Sequence, residues 1–332
     1  MKRIVLLLII AAALCGSLVA CAANSQNTMI NGGGGRNYLF LAAGFDDAAE
    51  NTDVLFTLGI DTKEKTVKIA QIPRDTYFNF GGSQNKINQY YGYLCSSGEE
   101  KYSALEKTAE SIAAAFGTDF DGFIGITTDG FCDIIDCLGG VEIYSGEDAQ
   151  ISVDGGPELT LKPGYNHIDG REAEAFVRFR SGYLTADLGR MDAQKIFLTS
   201  LFRRVMEGLN VKTLFSISGV LDEAAITNIK FVDVATIIFE NILKSGDYSI
   251  SLVTVPGEPL QKAGGLSYYV LNRKNGAEIA KRYMFADKAF DKNMLFCNFS
   301  APSFKNAYED ENATYREYDL NNIKEIVIPK KQ

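Results

Sequence analysis

FVRFRSGYLTADLGRMDAQ, residues 176–194, is the stretch that decides both the fold and the chemistry of this chain. Asp187, Arg190 and Gln194 recur at the spacing i, i+3 and i+7, which places them on one face of a helix. From Phe197 onward the same face is apolar. A helix N-terminus favours anions, because its N–H groups are unpaired and its dipole is positive there. The stretch therefore predicts a long helix that is apolar where it packs and charged at its N-terminal end.

Two arginines lie just before this helix. Arg178 and Arg180 belong to a segment expected to leave its helix near Ser181, because Gly182 follows. In an extended segment, residues two apart point the same way, so both guanidinium groups can reach one ligand. A guanidinium group binds phosphate through two parallel hydrogen bonds. The pattern indicates a phosphate site, although ordinary ion pairs at a solvated helix end would have the same composition.

The N-terminus has the pattern of a secretory signal. In residues 1–20 a basic start precedes an apolar run and small residues. Cys21 follows directly and resembles the cysteine of a bacterial lipobox, which implies cleavage before it and a lipid anchor on it. An uncleaved membrane helix over residues 4–23 is the alternative, because about 20 apolar residues span a bilayer. Both interpretations place the protein at the extracytoplasmic face of the membrane, and residues 21–36 are predicted to be a flexible linker.

Composition excludes several classes of protein. The formal net charge of −9 over 332 residues argues against a nucleic-acid partner. The single histidine, His167, argues against His-based metal sites and serine–histidine triads. Cys132 and Cys137 are too close within a predicted helix to form a disulfide, and the chain has no C-x-x-C pair. Buried free thiols are expected.

Strand and helix patterns alternate along the chain. Apolar runs predict strands at 38–43, 54–60, 66–72, 122–126, 141–144, 248–255, 268–271 and 323–328. Amphipathic segments predict helices at 102–116, 127–138, 171–177, from 187 past 194, at 211–218, 232–243 and 275–284. The second and third strands are expected to form a hairpin, and residues 161–170 a turn. The predicted fold is a three-layer α-β-α sandwich with a central mixed sheet over residues 37–285, followed by an extension of unknown role at 286–332.

Charged side chains follow the predicted strands. Asp46, Asp53, Arg74 and Asp75 stand where strands begin or end, and Lys86 lies in the next loop. Ligand sites of α/β folds lie at strand ends of this kind. Two aspartates beside a group of cations suit a magnesium or manganese ion that bridges phosphate oxygens, which is the composition that phosphoryl transfer needs. Asp53 and Asp75 are candidates for a general base by residue type only, and a structural pairing with Arg74 is an equally good interpretation of Asp75.

Taken together in chain order, these residues resemble the LytR-CpsA-Psr family. The resemblance runs from residue 38 to residue 256. The matching motifs are Asp46, Thr52-Asp53, Ile72-Pro73-Arg74-Asp75, Lys86-Ile87-Asn88, Ile134-Ile135-Asp136 with Leu138-Gly139-Gly140-Val141, Asp169-Gly170, Val177-Arg178-Phe179-Arg180, Asp187-Leu188-Gly189-Arg190 and Gln194. Each motif is short, but their ordered set is specific.

The resemblance implies an extracytoplasmic enzyme that moves a glycopolymer, such as teichoic acid or capsular polysaccharide, from a polyprenyl-pyrophosphate carrier to peptidoglycan. The product is a phosphodiester. The implied roles are as follows: the pyrophosphate is held by Arg74, Arg178, Arg180 and Arg190, with Lys86 and Gln194 as further substrate contacts. Asp46 and Asp53 are implied to lie beside the metal ion, and Asp187 to orient the arginines. An apolar tunnel for the polyprenyl tail is also implied, with Phe197 and Leu201 as candidate lining residues, although core packing is the more common role for such side chains.

Two features depart from the family pattern. Asn51 occupies a place where the family usually has an arginine. The lipobox differs from the uncleaved helix that members typically keep. The first departure leaves open a non-catalytic protein that binds polyprenyl phosphate or an anionic polymer. A hydrolase that releases the carrier's phosphate to water is a further alternative, because it would share the whole site and differ only in the acceptor.

Overall fold

The computed structural model describes residues 36–46, 50–81, 83–153, 156–179, 187–208, 211–230, 248–262, 265–295 and 302–320. Within these ranges, no helix combines the length and apolar composition that a membrane span requires. The predicted signal peptide, lipid-anchored Cys21 and linker lie outside the described residues, as do Arg180 and the predicted elements at 232–243 and 323–328.

The strands of the described residues alternate with helices through the first two thirds of the chain. The strands are β1 Asn37–Phe45, β2 Thr52–Asp61, β3 Thr66–Gln71, β4 Tyr77–Phe80, β5 Ser83–Lys86, β6 Gly122–Ile126, β7 Val141–Ser145, β8 Ala149–Ser152, β9 Glu158–Leu161, β10 Gly164–Ile168, β11 Ala225–Thr227, β12 Ser249–Thr254, β13 Gly257–Gln261, β14 Ser267–Leu271 and β15 Glu317–Asp319. The α-helices are α1 Tyr90–Ser96, α2 Lys101–Phe116, α3 Thr128–Cys137, α4 Gly170–Arg178, α5 Asp187–Gly208, α6 Val211–Ala224, α7 Arg273–Tyr283, α8 Lys292–Leu295 and α9 Pro302–Glu309, and a 3-10 turn spans Ile87–Gln89.

The central sheet is mixed and has seven strands in the order β11-β6-β1-β2-β3-β12-β15. β2 is antiparallel to both of its neighbours, which confirms the predicted hairpin with β3. β1 is parallel to β6, and β3 is parallel to β12. The carboxyl ends of these four strands therefore meet at one edge of the sheet, and β2 begins at that same edge. We call this the catalytic edge because the sequence predicts the phosphoryl-transfer site there, and Asp46, Asp53 and Arg74 lie along it.

Helices cover both faces of the sheet, because the apolar side chains of β1 alternate. Tyr38 and Phe40 pack into one core, which is completed by residues of α3, α4, α5 and α6. Leu39 and Leu41 point to the opposite core, which is completed by residues of α1, α2 and α7. The period of two puts successive side chains on opposite faces, and each face then buries its apolar groups under a helix layer. The three-layer α-β-α sandwich predicted from the sequence is confirmed.

Helix α4 places the arginine-rich stretch. Asp169 caps its N-terminus by accepting from the Glu172 N–H at 2.9 Å, and the Glu172 side chain accepts from the Asp169 N–H at 3.0 Å. This is a capping box, which satisfies two N–H groups that the helix leaves unpaired. The helix ends at Arg178, and Phe179 is already extended, with φ −60° and ψ 135°. The end therefore comes earlier than the sequence predicts from Ser181 and Gly182.

The predicted turn at 161–170 is instead strand-rich. β9 pairs with β8, and β10 pairs with β7. Lys162 and Pro163 separate the two strands, and Pro163 with Gly164, a typical turn pair, masks the short alternating patterns on either side. Strands of four or five residues give little periodic signal of their own, so their pairing partners decide them. Helix α6 also runs to Ala224, beyond its predicted end at residue 218.

The described part of the C-terminal extension joins the sheet and its surroundings. β15 pairs with β12 as the edge strand, with Leu252 opposite Tyr318. Phe304 and Tyr308 of α9 are buried with Val270 of β14 in a separate small core. The described residues beyond 285 therefore pack against the sandwich.

Candidate active site

The catalytic edge begins with an oriented carboxylate. Asp46 follows β1, and its Oδ1 accepts from the Glu50 N–H at 2.7 Å. Its Oδ2 accepts from the Asn51 side-chain amide at 2.8 Å. The Asp46 N–H in turn donates to the Asn51 carbonyl at 3.0 Å. These bonds fix the carboxylate where β1 ends and β2 begins. Asn51 thus supplies a neutral donor to Asp46 at the place where the family pattern has a charged one.

The second aspartate of the edge pairs with an arginine. Arg74 Nη1 lies 2.8 Å from Asp53 Oδ1, with 15% and 30% of the respective side chains exposed. The end of β3 is held beside β2 because the Ile72 N–H donates to the Leu55 carbonyl at 2.9 Å. The pair is half-buried, so its attraction is screened less than that of a surface ion pair. Arg74 is thereby held at the sheet edge with its side chain oriented.

The structure separates Asp75 from Arg74, its expected partner in the sequence. Asp75 Oδ1 instead accepts from Lys86 Nζ at 2.9 Å. Lys86 was predicted to lie in a loop but is the last residue of β5, opposite Tyr77 at the open end of the β4–β5 hairpin. Asp75 therefore fixes Lys86 beside the catalytic edge. This ion pair weakens Asp75 as a candidate base, because its carboxylate is already committed to a cation.

Gln194 links three elements through a buried amide network. Its Oε1 accepts from Gln71 Nε2 at 2.7 Å, and its Nε2 donates to the Val177 carbonyl at 3.3 Å. The Thr254 hydroxyl donates to Gln71 Oε1 at 3.2 Å. Gln194 is 7% exposed. The network joins β3, β12, the end of α4 and the first turns of α5, and it brings the arginine-rich stretch to the catalytic edge.

Helix α5 forms as the sequence predicts and starts at Asp187. Arg190 lies one turn before Gln194 on the same face, and it is 4% exposed. The side chain of Asp187 lies outside the described residues, so its predicted role in orienting the arginines stays a prediction. Phe197 is 3% exposed, and its ring lies 5.4 Å from that of Phe131. It packs in the core beside α3.

Glu174 was not predicted from the sequence to belong to the site. It is 3% exposed, and its Oε1 lies 2.5 Å from Arg178 Nη1. Its Oε2 accepts from Arg171 Nη1 at 3.0 Å and from the Cys132 thiol at 3.6 Å. A buried carboxylate needs such partners, because an uncompensated buried charge is costly. Glu174 therefore anchors Arg178 from inside the protein. The i, i+4 spacing of the pair was visible in the sequence, but the burial of that helix face was not.

Neighbouring charges and burial also set the chemistry of Cys132. Burial, followed by the negative charge of Glu174, raises the pKa of the Cys132 thiol to about 12. The thiolate is the reactive form of cysteine, so this thiol is inert at neutral pH. The free thiols expected from the sequence are confirmed for Cys95, Cys132 and Cys137.

The carboxylates of the catalytic edge suit a divalent cation whose coordination shell is completed by phosphate oxygens of the substrate. Phe45 and Thr52 are register partners, so Asp46 and Asp53 stand at neighbouring strand ends. Mg²⁺ is bound through one or two carboxylates together with substrate phosphates and water. No cluster of three or more histidine, cysteine or acidic side chains able to hold a metal occurs within the described ranges. The donor set therefore suits an ion shared with a phosphate group, and it does not resemble a closed structural site.

The remaining groups suit a pyrophosphate. Arg74 follows β3 at the catalytic edge, and Lys86 ends β5. Arg178 and Arg190 lie on α4 and α5, the two helices that the Gln194 network joins to β3, yet the chain as a whole has a net charge of −9. Concentrating cations at one place on an acidic protein makes that place the favoured docking point for an anion. The arrangement can bind and polarise phosphoryl oxygens.

Comparison with known proteins identifies one family. Its sequence profile, described as the LytR_cpsA_psr family, matches residues 20–284. One relative is the polyisoprenyl-teichoic acid–peptidoglycan teichoic acid transferase TagV of Bacillus subtilis (strain 168). The two sequences are 30% identical over 207 residues, which cover 59% of this chain and 51% of TagV. The chain thus spans about half the length of that relative.

Solved structures agree with the fold. The crystal structure of B. subtilis TagV superposes with a TM-score of 0.60 and 25% identity, covering 76% of this chain and 99% of that one. Protein gbs0355 from Streptococcus agalactiae superposes with a TM-score of 0.64 and 20% identity, covering 77% and 90% of the two chains. At 20% identity the second likeness concerns the fold alone.

Proposed function

The chain belongs to the LytR-CpsA-Psr family, and on that premise we propose that it transfers a glycopolymer from a polyprenyl-pyrophosphate carrier to peptidoglycan, forming a phosphodiester. The observation that carries the proposal is the meeting of Asp46, the Asp53–Arg74 pair and the Gln194 network at one sheet edge. The similarity to TagV, a polyisoprenyl-teichoic acid–peptidoglycan teichoic acid transferase, supports the same chemistry.

The reaction is a displacement at phosphorus. A hydroxyl oxygen of the acceptor attacks the phosphorus atom that carries the sugar, and a new P–O bond forms. The P–O bond to the second phosphate breaks, the polyprenyl phosphate departs with the bonding electrons, and the hydroxyl proton passes to water. Arg74 and Arg178 neutralise the charge that spreads over the phosphoryl oxygens, and their fixed carboxylate partners keep them in position.

Asp46 and Asp53 would hold a magnesium or manganese ion in this proposal. The bonds from Glu50 and Asn51 orient the Asp46 carboxylate, which is what a ligand position requires. When bound, such an ion supplies additional positive charge at the phosphoryl oxygens. Asn51 retains the orienting contact to Asp46, and this favours the enzyme over the non-catalytic binding protein that the departure from the family pattern had left open.

The test is turnover by the full-length protein in detergent with a labelled polyprenyl-pyrophosphate-linked sugar, magnesium and peptidoglycan fragments. We expect label on the glycan, and we expect Arg74→Ala to slow transfer by about 100-fold with its melting temperature unchanged. Arg36→Ala is the matched control, because Arg36 pairs with Asp121 away from the catalytic edge. Label released only as a free phosphosugar would identify a hydrolase. Binding without turnover would identify a carrier protein.

We also propose that the protein is a lipoprotein anchored through Cys21 at the extracytoplasmic face of the membrane. The support is the small-residue sequence directly before Cys21. Intact-mass measurement of the purified protein should show a chain that starts at Cys21 with an acylated terminus, and Cys21→Ala should remove the acyl mass. An unmodified N-terminal segment that begins at Met1 would favour the uncleaved helix.

A further inference from the structure

An open groove lies directly beside the catalytic edge and has no role in the chemistry described so far. It has a volume of about 1000 Å³ and runs between the β4–β5 hairpin and α1, with Glu50 and Asn51 in its lining. We call it the aromatic groove, and the residues that define it here are Asn51, Phe80, Asn85, Gln89, Tyr93 and Lys101. Its size matches that of pockets that hold extended small ligands.

A rigid aromatic surface forms one side of the groove. Tyr93 is 43% exposed, which is unusual for a large ring. Its ring centroid lies 5.1 Å from that of Phe80, and it stacks on Tyr90 at 6.4 Å with an interplanar angle of 17°. The ring is therefore held by neighbouring rings while it lines open space. Such a fixed aromatic surface suits the flat C–H face of a sugar ring, which is apolar although the sugar's edge is polar.

The polar lining favours a neutral ligand. Asn51, Asn85 and Gln89 bring side-chain amides, which both donate and accept hydrogen bonds as sugar hydroxyls and acetamido groups require. Three carboxylates also line the groove, against one ammonium group on Lys101. The acidic residues are Glu50, Glu99 and Glu100. This charge balance disfavours a polyanion, so the groove and the cationic catalytic edge select ligands of different charge.

The groove and the catalytic edge are mechanically coupled. Asn51 lines the groove and donates to the Asp46 carboxylate, so a single side chain borders both places. Helix α1 rests on the same loop, because a Cβ atom on Gly92 would lie 2.2 Å from the Glu50 carbonyl oxygen. Only a glycine permits this approach. A ligand bound along the groove is thereby held against the loop that positions Asp46.

We propose that the aromatic groove is the acceptor subsite, which binds a neutral chain of N-acetylated amino sugars and presents one of its hydroxyl groups to the catalytic edge. The inference rests on the proposed function, and it adds where the acceptor binds and which residues recognise it. Holding the hydroxyl beside the phosphorus atom converts an encounter in solution into a reaction within one complex.

The first test measures binding of chitotetraose, a neutral tetrasaccharide of N-acetylglucosamine, to the full-length protein by calorimetry. Tyr93→Ala should weaken this affinity by about tenfold or more, because it removes the stacking surface. Tyr165→Ala is the matched control, since Tyr165 is exposed but lies on β10. Binding of a polyprenyl-pyrophosphate-linked sugar should stay unchanged in both variants. Equal glycan affinity in Tyr93→Ala and Tyr165→Ala would overturn the proposal.

A chemical footprint gives a second readout without any substitution. Cys95 lines the groove and is partly exposed, whereas Cys132 is buried. The tetrasaccharide should slow alkylation of Cys95 at saturating concentration, and Cys132 serves as the unreactive reference in the same peptide map. An unchanged alkylation rate of Cys95 would contradict the proposed location. Protection by a soluble anionic teichoic acid fragment with none by the tetrasaccharide would reassign the groove to the donor polymer and overturn the proposal.

The measurements distinguish failure of the transferase proposal from failure of the acceptor-groove proposal. Arg74→Ala should abolish transfer yet leave tetrasaccharide binding intact, because Arg74 lies at the catalytic edge and outside the groove lining. If the protein shows no transfer but binds the glycan in a way that depends on Tyr93, the groove is a glycan-binding site and the enzymatic proposal is wrong. If Tyr93→Ala transfers at the full rate with an unchanged KM for the acceptor, the transferase function is supported and the groove is not the acceptor subsite.

Discussion

At the scale of single residues, the site depends on carboxylates that hold its cations. Arg74 pairs with Asp53, Lys86 with Asp75 and Arg178 with Glu174. A flexible cation pays conformational entropy each time that it binds an anion, and a fixed partner reduces that cost before the substrate arrives. At Asn51 the oriented group is instead a carboxylate: the neutral side-chain amide of Asn51 donates to Asp46 and holds it in position.

Glu174 should act as a positioning residue for Arg178. Glu174→Gln keeps the shape of the side chain but removes the charge that holds Arg178, and we expect kcat to fall by about tenfold to 100-fold, corresponding to roughly 1.5–3 kcal/mol for a charge-assisted hydrogen bond. Glu174→Asp shortens the side chain yet keeps its charge, so it should restore part of the rate. The measurement is kcat and KM together with the melting temperature of each variant.

A merely structural role for Glu174 would give a different result. Both variants would then lose melting temperature in proportion to their loss of activity, and Glu172→Gln, at the exposed cap of the same helix, would serve as the reference for a small structural effect. An unchanged kcat in a stable Glu174→Gln protein would remove the positioning role.

At the scale of elements, helix α4 is held against α3 by one glycine. A Cβ atom on Gly170 would lie 2.3 Å from the carbonyl oxygen of Cys132. The Gly170 N–H also donates to Asp136 Oδ1 at 2.8 Å. The two helices can therefore approach only if this residue has no side chain. This contact sets the position of the whole helix, including Arg178 at its other end.

Gly170→Ala should destabilise the protein by about 1–3 kcal/mol, because the backbone of α3 or α4 must move to accept the new methyl group. It should also reduce activity, since the shift reaches Arg178. Gly219→Ala is the control, because no atom lies within 4 Å of its added Cβ and alanine suits a helix interior. Denaturant unfolding of the two variants measures the difference. Equal unfolding free energies would mean that the helices have room to separate.

At the scale of the whole molecule, the C-terminal segment ties the sheet to the helix layer. Glu317 of the edge strand β15 accepts from Arg282 at both of its oxygens and from the Tyr283 hydroxyl at 2.8 Å. Burial alone would raise the pKa of Glu317, but the hydrogen bonds from Arg282 and Tyr283 outweigh it and lower the pKa below its usual value. The ionised carboxylate therefore stabilises the folded chain.

The pH dependence of stability follows from the sign of this shift. A carboxyl group with a lowered pKa in the folded state stabilises the protein above its unfolded pKa of about 4.3, and that contribution is lost as pH falls through the folded pKa. Glu317→Gln should lower the melting temperature at pH 7 by a few degrees, and the deficit should be smaller at pH 3, because part of the stabilisation by the ionised carboxylate is lost below the unfolded pKa. Glu309→Gln changes an exposed side chain of α9 and should leave the melting temperature unchanged at both pH values. A Glu317→Gln deficit that is equal at both pH values would show that charge is not the cause.

Local patterns predicted the sandwich well and its small accessory strands poorly. The long strands β1, β2 and β3 combine apolar runs with clear ends, so their positions and the hairpin were predictable. β8, β9 and β10 have four or five residues each, and β13 contains a proline. Such segments become strands because a partner strand lies beside them. Late in the chain, the three-residue strand β15 was not predicted and pairs with β12. The strand predicted at 323–328 lies outside the described residues.

The sequence by itself determined the family, the three-layer architecture and the set of charged residues, because each depends on local periodicity or on the order of short motifs. Only the tertiary structure decided the partners: Arg74 with Asp53 in place of Asp75, Gln194 with Gln71, and Arg178 with a buried Glu174. It also decided that an aromatic groove opens beside Asn51. The physical reason is that a side chain's partner is set by the register and packing of elements far apart in the chain, and local sequence does not encode that register.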